Sequence, residues 1–167
     1  MELDKSSPEV LQGYANFLIS KQQPEEALKH LKESIEKWKG EEESFPPYIF
    51  RMNTAKLLIE LNEHKEATSI LERLTFEDSE MPEPWYLLSL CYYDDLEACK
   101  ECLEKASDLF GKANYDDAPD LKKQIDEALE KVNQALSKSE NVAEASDNGE
   151  EEGDPESENM EDSQENK

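Results

Sequence analysis

The sequence has little with which to perform covalent chemistry. It holds two histidines, five glycines and three cysteines in 167 residues. Neither a glycine-rich phosphate loop nor a nucleophile elbow occurs, so the usual frameworks for phosphoryl and acyl transfer are missing. Asp and Glu are plentiful, but on helices they form solvated faces. A non-enzymatic role is expected, with no cofactor and no metal. No apolar run approaches the ~18 residues of a transmembrane helix. The N-terminal Met1-Glu2-Leu3-Asp4 lacks the basic and apolar regions of a secretory signal. Three cysteines are an odd number, and without such a signal they read as reduced thiols in the cytoplasm or nucleus.

Basic residues are scarce too. Against 42 Asp and Glu stand 18 Lys and Arg, a net charge of −24. The imbalance is uneven. Residues 140–167 carry twelve acids and one Lys, leaving 30 acidic and 17 basic residues, a net of −13, for 1–139. A chain this acidic repels nucleic-acid phosphates and anionic headgroups, so neither direct nucleic-acid nor membrane binding is expected. A basic protein is the natural partner.

Strand signals are nearly absent, and Glu, Leu, Lys and Ala favour helix. Apolar residues recur three and four apart: Val10, Leu11, Tyr14, Ala15, Leu18, then Ala27, Leu28, Leu31, Ile35, Trp38. The break at Lys21-Gln22-Gln23-Pro24 suits a short turn with Pro24 opening the second helix. The unit recurs from Phe50 to Leu74 and from Trp85 to Ala106. Three antiparallel helical hairpins are therefore expected, over about 8–39, 47–76 and 82–110. A single amphipathic helix over about 118–136, with Leu121, Ile125, Ala128, Leu129, Val132 and Leu136 on one face, suits a cap. Residues 137–167 are expected to form a disordered acidic tail, because 140–167 contain no Leu, Ile, Phe, Tyr or Trp to offset the entropy of ordering. Ser139, Ser146, Ser157 and Ser163 stand near acids there and are candidate sites for an acid-directed kinase.

The pattern resembles the tetratricopeptide repeat (TPR), a unit of about 34 residues. The small residues of the close helix crossing fall on Ala15, Ala55 and Ser89. Those opening the second helix fall on Ala27, Ala67 and Cys99, with Leu31, Leu71 and Leu103 four later. Trp85, Leu88, Ser89 and Tyr92 match the W-x-x-L-G-x-x-Y signature, with Ser for Gly; Leu11 and Arg51 replace the Trp in the first two units. Ala27 to Ala67 spans 40 residues, an insertion in the 39–47 loop. Ala67 to Cys99 spans 32, read as a shortened turn. The expected fold class is all-α, a TPR-like hairpin solenoid with a C-terminal capping helix.

Leu3-Asp4-Lys5-Ser6-Ser7-Pro8 resembles the linker between repeats, as if the chain began at a repeat boundary, either as the C-terminal part of a longer solenoid or as a shortened relative. The outer apolar face of the first hairpin is then a candidate contact surface.

More specific stretches are Leu3-Asp4 with Pro8-Glu9-Val10-Leu11-Gln12, Pro24-Glu25-Glu26-Ala27, Phe50-Arg51 with Leu57-Leu58-Ile59-Glu60, Leu71-Glu72-Arg73-Leu74, Glu83-Pro84-Trp85-Tyr86-Leu87-Leu88 and Cys102-Leu103-Glu104-Lys105-Ala106. Together they resemble the C-terminal repeats of the fungal TPR-type assembly chaperones dedicated to ribosomal protein four of the large subunit. The resemblance covers residues 1 to about 136. It implies a curved scaffold whose concave face holds a basic loop of its client, escorting it to the nucleus and releasing it to the assembling ribosome. The alternative is a TPR scaffold or adaptor in an unrelated multiprotein complex.

The first helix of each TPR unit lines the concave face. The partner-binding positions expected there are Glu9, Gln12 and Asn16; Met52, Asn53, Lys56 and Glu60; and Glu83, Tyr86, Leu90, Tyr93 and Asp94. Glu60, Glu83 and Asp94 suit Lys or Arg, and Tyr86 and Tyr93 suit a guanidinium laid on the ring, unless they pack against the neighbouring helix. Some TPR domains clamp the C-terminal carboxylate of heat-shock chaperones with two Asn and three basic residues. Asn16 and Asn53 fall on the Asn positions, but Gln12, Glu83 and Leu87 fall on the basic ones, which argues against that function. Cys99-Lys100-Glu101-Cys102 is a C-x-x-C inside an expected helix. Zinc needs four ligands and Cys91 offers only a third, so buried structural cysteines are expected.

Overall fold

The computed structural model describes residues 7–39, 45–112 and 119–147, with side chains placed through residue 139. Seven helices are found among them: α1 (Pro8–Ser20), α2 (Pro24–Glu36), α3 (Tyr48–Glu60), α4 (His64–Glu77), α5 (Pro82–Cys91), α6 (Leu96–Lys112) and α7 (Pro119–Asp147). No strand occurs among the described residues.

Helix starts follow local chemistry. Pro8, Pro24 and Pro82 each sit in a first turn, where the missing N–H costs nothing. The Ser7 hydroxyl accepts a bond from the Val10 N–H at 3.3 Å, capping α1. α1 and α3 end alike, on left-handed residues, Gln22 at φ 59° and Asn62 at φ 61°. The Gln22 N–H reaches the Ile19 carbonyl and the Gln23 N–H reaches the Leu18 carbonyl. Asn62 to Ile59 and Glu63 to Leu58 repeat the pattern. These crossed pairs form the Schellman arrangement, which satisfies carbonyls the helix would leave open.

α1 packs on α2, α3 on α4 and α5 on α6, while α3 also meets α1 and α2, and α5 meets α3 and α4. The first helices therefore lie side by side in one layer. The small crossing residues are buried in every unit: Ala15, Ala55 and Ser89 on the first helices, Ala27, Ala67 and Cys99 on the second. Leu31, Leu71 and Leu103 are fully buried beside them. α7 lays Ile125 and Val132 on Leu103, Ala106 and Phe110. It packs on α6 as α5 packs on α4, in the place of the first helix of a further hairpin.

Two sequence expectations change. The shortening of the third unit lies in the helix and not in its turn. α5 has ten residues where α1 and α3 have thirteen, and its connection to α6, 92–95, is longer than 21–23 or 61–63. The C-terminal helix runs on past Leu136 to Asp147, because Ala135, Ala143 and Ala145 continue a helix-favouring composition. The rest of the expected tail, 148–167, lies outside the described residues, as do the linker at 1–6 and the core of the 39–47 insertion at 40–44.

Candidate partner-binding groove

Aligning units on Ala15, Ala55 and Ser89 gives the face of α1, α3 and α5 a simple order. Asn16, Lys56 and Leu90 form one row, and Glu9, Ile49 and Glu83 a second. Each is exposed or half-exposed. Glu60 is exposed at the end of α3. Tyr93 and Asp94, expected on the same helical face, sit instead in the α5–α6 turn, because α5 stops at Cys91. Asn53 is exposed beside Lys56.

Gln12 and Met52 leave the list of surface residues. Both are buried, at 9% and 1% exposure, and both hold the same repeat position as half-buried Tyr86. That position lies in the seam where neighbouring units meet. The Gln12 amide donates across the seam to the Thr54 Oγ1 at 2.6 Å and to the Phe50 carbonyl at 3.1 Å. Met52 packs in the main core. Neither side chain is free to take a partner.

Lys56 and Glu83 bridge α3 to α5 at 2.6 Å, with both side chains only partly exposed. Beside this pair a cleft of about 470 Å³ is lined by Lys56, Glu83, Tyr86 and Leu87 together with Pro119, Asp120, Leu121 and Gln124. The first turn of α7 thus forms one wall of this cleft. Tyr86 touches both core clusters, and burial pushes its phenol pKa up. Tyr93 is 60% exposed, its ring 5.0 Å from that of His64. The Asp94 carboxylate, by its charge and its hydrogen bond, raises the Tyr93 phenol.

Three residues that the sequence did not single out also border this surface: Ile49, Asp120 and Gln124. Ile49 is 61% exposed. The repeat register places it level with Glu9 and Glu83. Nothing local in the sequence signals that α7 would bring Asp120 to the groove.

The charged residue at the Trp position of the second unit has its own partners. Arg51 is buried, and its guanidinium meets the Glu77 carboxylate with two bonds while Nε donates to the Pro46 carbonyl at 2.9 Å. Phe45 stacks under both Arg51 and Arg73. The three cysteines are buried and unpaired. Burial raises each thiol pKa, that of Cys102 to about 11. Among the described residues no cluster of His, Cys, Asp and Glu is able to hold a metal ion. No described helix is long and apolar enough to cross a membrane.

This architecture defines a helical-repeat protein of the tetratricopeptide class. It superimposes on the Sgt2 TPR domain from Aspergillus fumigatus with a TM-score of 0.58, covering 98% of this chain and 96% of that one at 15% identity. The first TPR of Spaghetti (RPAP3) bound to the HSP90 peptide SRMEEVD gives 0.55, covering 82% and 98% at 16% identity. The TPR2B domain of yeast Sti1 in complex with pHsp70 gives 0.55, covering 77% and 97% at 16% identity.

In sequence the chain is similar to two curated proteins, each named probable assembly chaperone of rpl4. The Emericella nidulans protein is 39% identical over 89 residues, 52% of this chain and 23% of that protein. The Schizosaccharomyces pombe protein is 35% identical over 99 residues, 56% of this chain and 30% of that protein. The matched segments thus span under a third of those relatives. No family model matches.

Proposed function

We propose that this chain is a non-enzymatic protein-binding scaffold that holds a basic segment of a large-subunit ribosomal protein during ribosome assembly, in cytoplasm and nucleus. The observation that carries the reading is the similarity to two probable assembly chaperones of rpl4. The groove is chemically apt. Glu9, Glu60, Asp94 and Asp120 offer exposed carboxylates, and Ile49, Leu90 and Tyr86 offer apolar ground between them. A segment alternating basic and apolar side chains meets both.

The physical task suits an acidic surface. A segment built to contact rRNA binds any RNA through its charge until it is neutralised. Acidic residues at long range raise the encounter rate, and the short-range groove sets register. The Lys56–Glu83 pair neutralises the middle of the groove, so the electrostatic attraction rests on the acids flanking it.

Heat-shock peptides name the partners of two structural neighbours, but this groove lacks cations where a carboxylate clamp needs them. Gln12 and Leu87 are buried and Glu83 is acidic. Co-expression with large-subunit ribosomal protein four tests the proposal. The expected result is a soluble complex at moderate salt that weakens as salt is raised. A folded, helical chain that purifies without it, or with a set of non-ribosomal subunits, moves the function to a scaffold of another complex.

A further inference from the structure

Arg51 and Arg73 are the chain's two arginines, and both lie against one ring. Arg73 stands 4.4 Å and Arg51 5.4 Å from the centre of Phe45. Two clefts share these three side chains as walls. The larger, about 560 Å³, adds Pro46, Pro47, Tyr48 and Phe76, with Glu72 and Glu77. The smaller, about 240 Å³, adds buried Ile35, Trp38 and Ile70, with exposed Lys39 and Ser69 and half-exposed Glu66. None of these residues lines the cleft beside Lys56 and Glu83. The hairpin fold does not require the arrangement. Where Arg51 stands, the other units carry Leu11 and Trp85, and a buried ion pair is seldom more stabilising than apolar residues in its place. Two buried donors are also left over. The indole N–H of Trp38, a residue 6% exposed, and the Tyr48 hydroxyl have no hydrogen-bond partner among the described residues, although buried polar groups are nearly always bonded. Burial and the nearby Asp78 and Glu77 carboxylates push the Tyr48 phenol up to about 12, so it remains a donor. In the same cleft Phe76 is 92% exposed.

The geometry points to a second binding site, at which the paired clefts take an acidic–apolar peptide segment of another protein. Its carboxylate is held by Lys39 and Arg73 in the smaller cleft, and its apolar side chain lies against Phe76 and Pro47 in the larger. Charge selects this occupant. The smaller cleft is walled by three cations, Lys39, Arg51 and Arg73, and one carboxylate, Glu66, in a chain with 42 acids and 18 bases. An acidic segment is repelled by most of the remaining surface and is steered here. Glu72 and Glu77 in the larger cleft keep the carboxylate out of it, which fixes the direction of the segment. The planar fork of Arg73 matches a carboxylate. An extended segment also brings backbone carbonyls, the acceptors that the Trp38 and Tyr48 donors lack. The site is independent of the groove reading: an acidic partner docks here whether or not a basic client occupies the other surface.

Selection of a displayed library of random short peptides on the full chain tests this, with the Arg73→Glu chain as counter-selection. The expected result is enrichment of peptides that carry Asp or Glu near an aromatic or aliphatic residue. Such a peptide should bind the Arg73→Glu chain about tenfold more weakly. Phe76→Ser, at an exposed position, should also weaken it and leave the fold intact. Glu60→Lys/Asp94→Lys, in the groove, should not. The indole N–H signals give a direct readout by NMR. That of Trp38 should move on binding. That of Trp85, which donates to the Ser79 carbonyl at 3.2 Å, should stay, and Trp38→Phe assigns the two. Three results overturn the inference: no enriched peptide that depends on Arg73, enriched peptides that are basic or uncharged, or a bound peptide that leaves the Trp38 signal in place. Self-association of the chain abolished by Arg73→Glu also contradicts it, since the occupant is then a second copy.

Discussion

Arg51 and Glu77 face each other across the second hairpin in a two-pronged ion pair, Nη1 to Oε1 at 2.6 Å and Nη2 to Oε2 at 2.7 Å. The guanidinium side chain is only 7% exposed, the carboxylate 38%. The pair is therefore asymmetric: removing Glu77 strands a buried cation. Fully exposed pairs contribute under ~1 kcal/mol, and breaking a buried one costs ~3–5. Glu77→Ala should destabilise the chain by about 2 kcal/mol, between those limits. Urea denaturation of both proteins at neutral pH measures it.

The same pair sets an acid dependence. The hydrogen bonds from Arg51 hold the Glu77 carboxyl below the ordinary carboxylate range. A folded pKa below the unfolded one means that the stabilisation is full above the unfolded value near ~4.3 and fades as pH falls through the folded value. Solvent screening keeps it small. The stability difference between wild type and Glu77→Gln should shrink steadily as pH is lowered from about 5 towards 3. A difference that stays constant over that range would show that the charge of Glu77 contributes nothing.

Gln22 closes α1 in a left-handed conformation that costs an L-residue roughly 1 kcal/mol. Gln22→Gly should stabilise by about 0.5–1 kcal/mol, because glycine removes that cost while keeping both crossed hydrogen bonds. Asn62→Gly should gain less, since Asn tolerates this region better. Thermal melts of the two variants give the ranking.

Met52 lies in the core and not on the exposed face proposed to bind a partner. Met52→Ala should cost about 2–5 kcal/mol through loss of burial and the cavity left behind. Under conditions where the variant remains folded, its affinity for a groove ligand should match wild type. Calorimetric titration beside a denaturation curve separates the two effects.

Burial pushes the Cys99 and Cys102 thiols above their ordinary range, lowering further the small thiolate fraction present at neutral pH. Since the thiolate is the reactive form, a thiol-specific reagent should label the folded chain slowly and label all three cysteines at once after unfolding. Fast labelling of the native chain at Cys99 or Cys102 would reveal a local opening of α6.

The hairpins were legible because their signals are local. Apolar spacing and the small residues Ala15 with Ala27, Ala55 with Ala67 and Ser89 with Cys99 mark each pair before any tertiary contact is known, and first-turn prolines add to this in the first and third. What the sequence could not convey is set between units. Gln12, Met52 and Tyr86 share one repeat position, and whether it faces the groove or the seam depends on how neighbouring hairpins lean together. A residue step of about 100° around a helix leaves little margin for that decision. Ile49 was hidden for the converse reason, an apolar residue carried on the exposed row. α5 ends three residues early at Cys91, which moves Tyr93 and Asp94 into a turn although their spacing reads as helical. The ion pair between Arg51 and Glu77 links positions 26 apart, too far for any local pattern to register.

Affinity for large-subunit ribosomal protein four, titrated at about 0.05 and 0.5 M salt, tests the central claim most directly. Wild type should bind at low salt and weaken at high salt. The Glu60→Lys/Asp94→Lys double variant, whose substitutions lie at exposed positions, should stay folded yet bind about tenfold more weakly at low salt. An affinity unmoved by both salt and charge reversal, or no binding by a folded chain, would contradict an acidic groove that holds a basic ribosomal client.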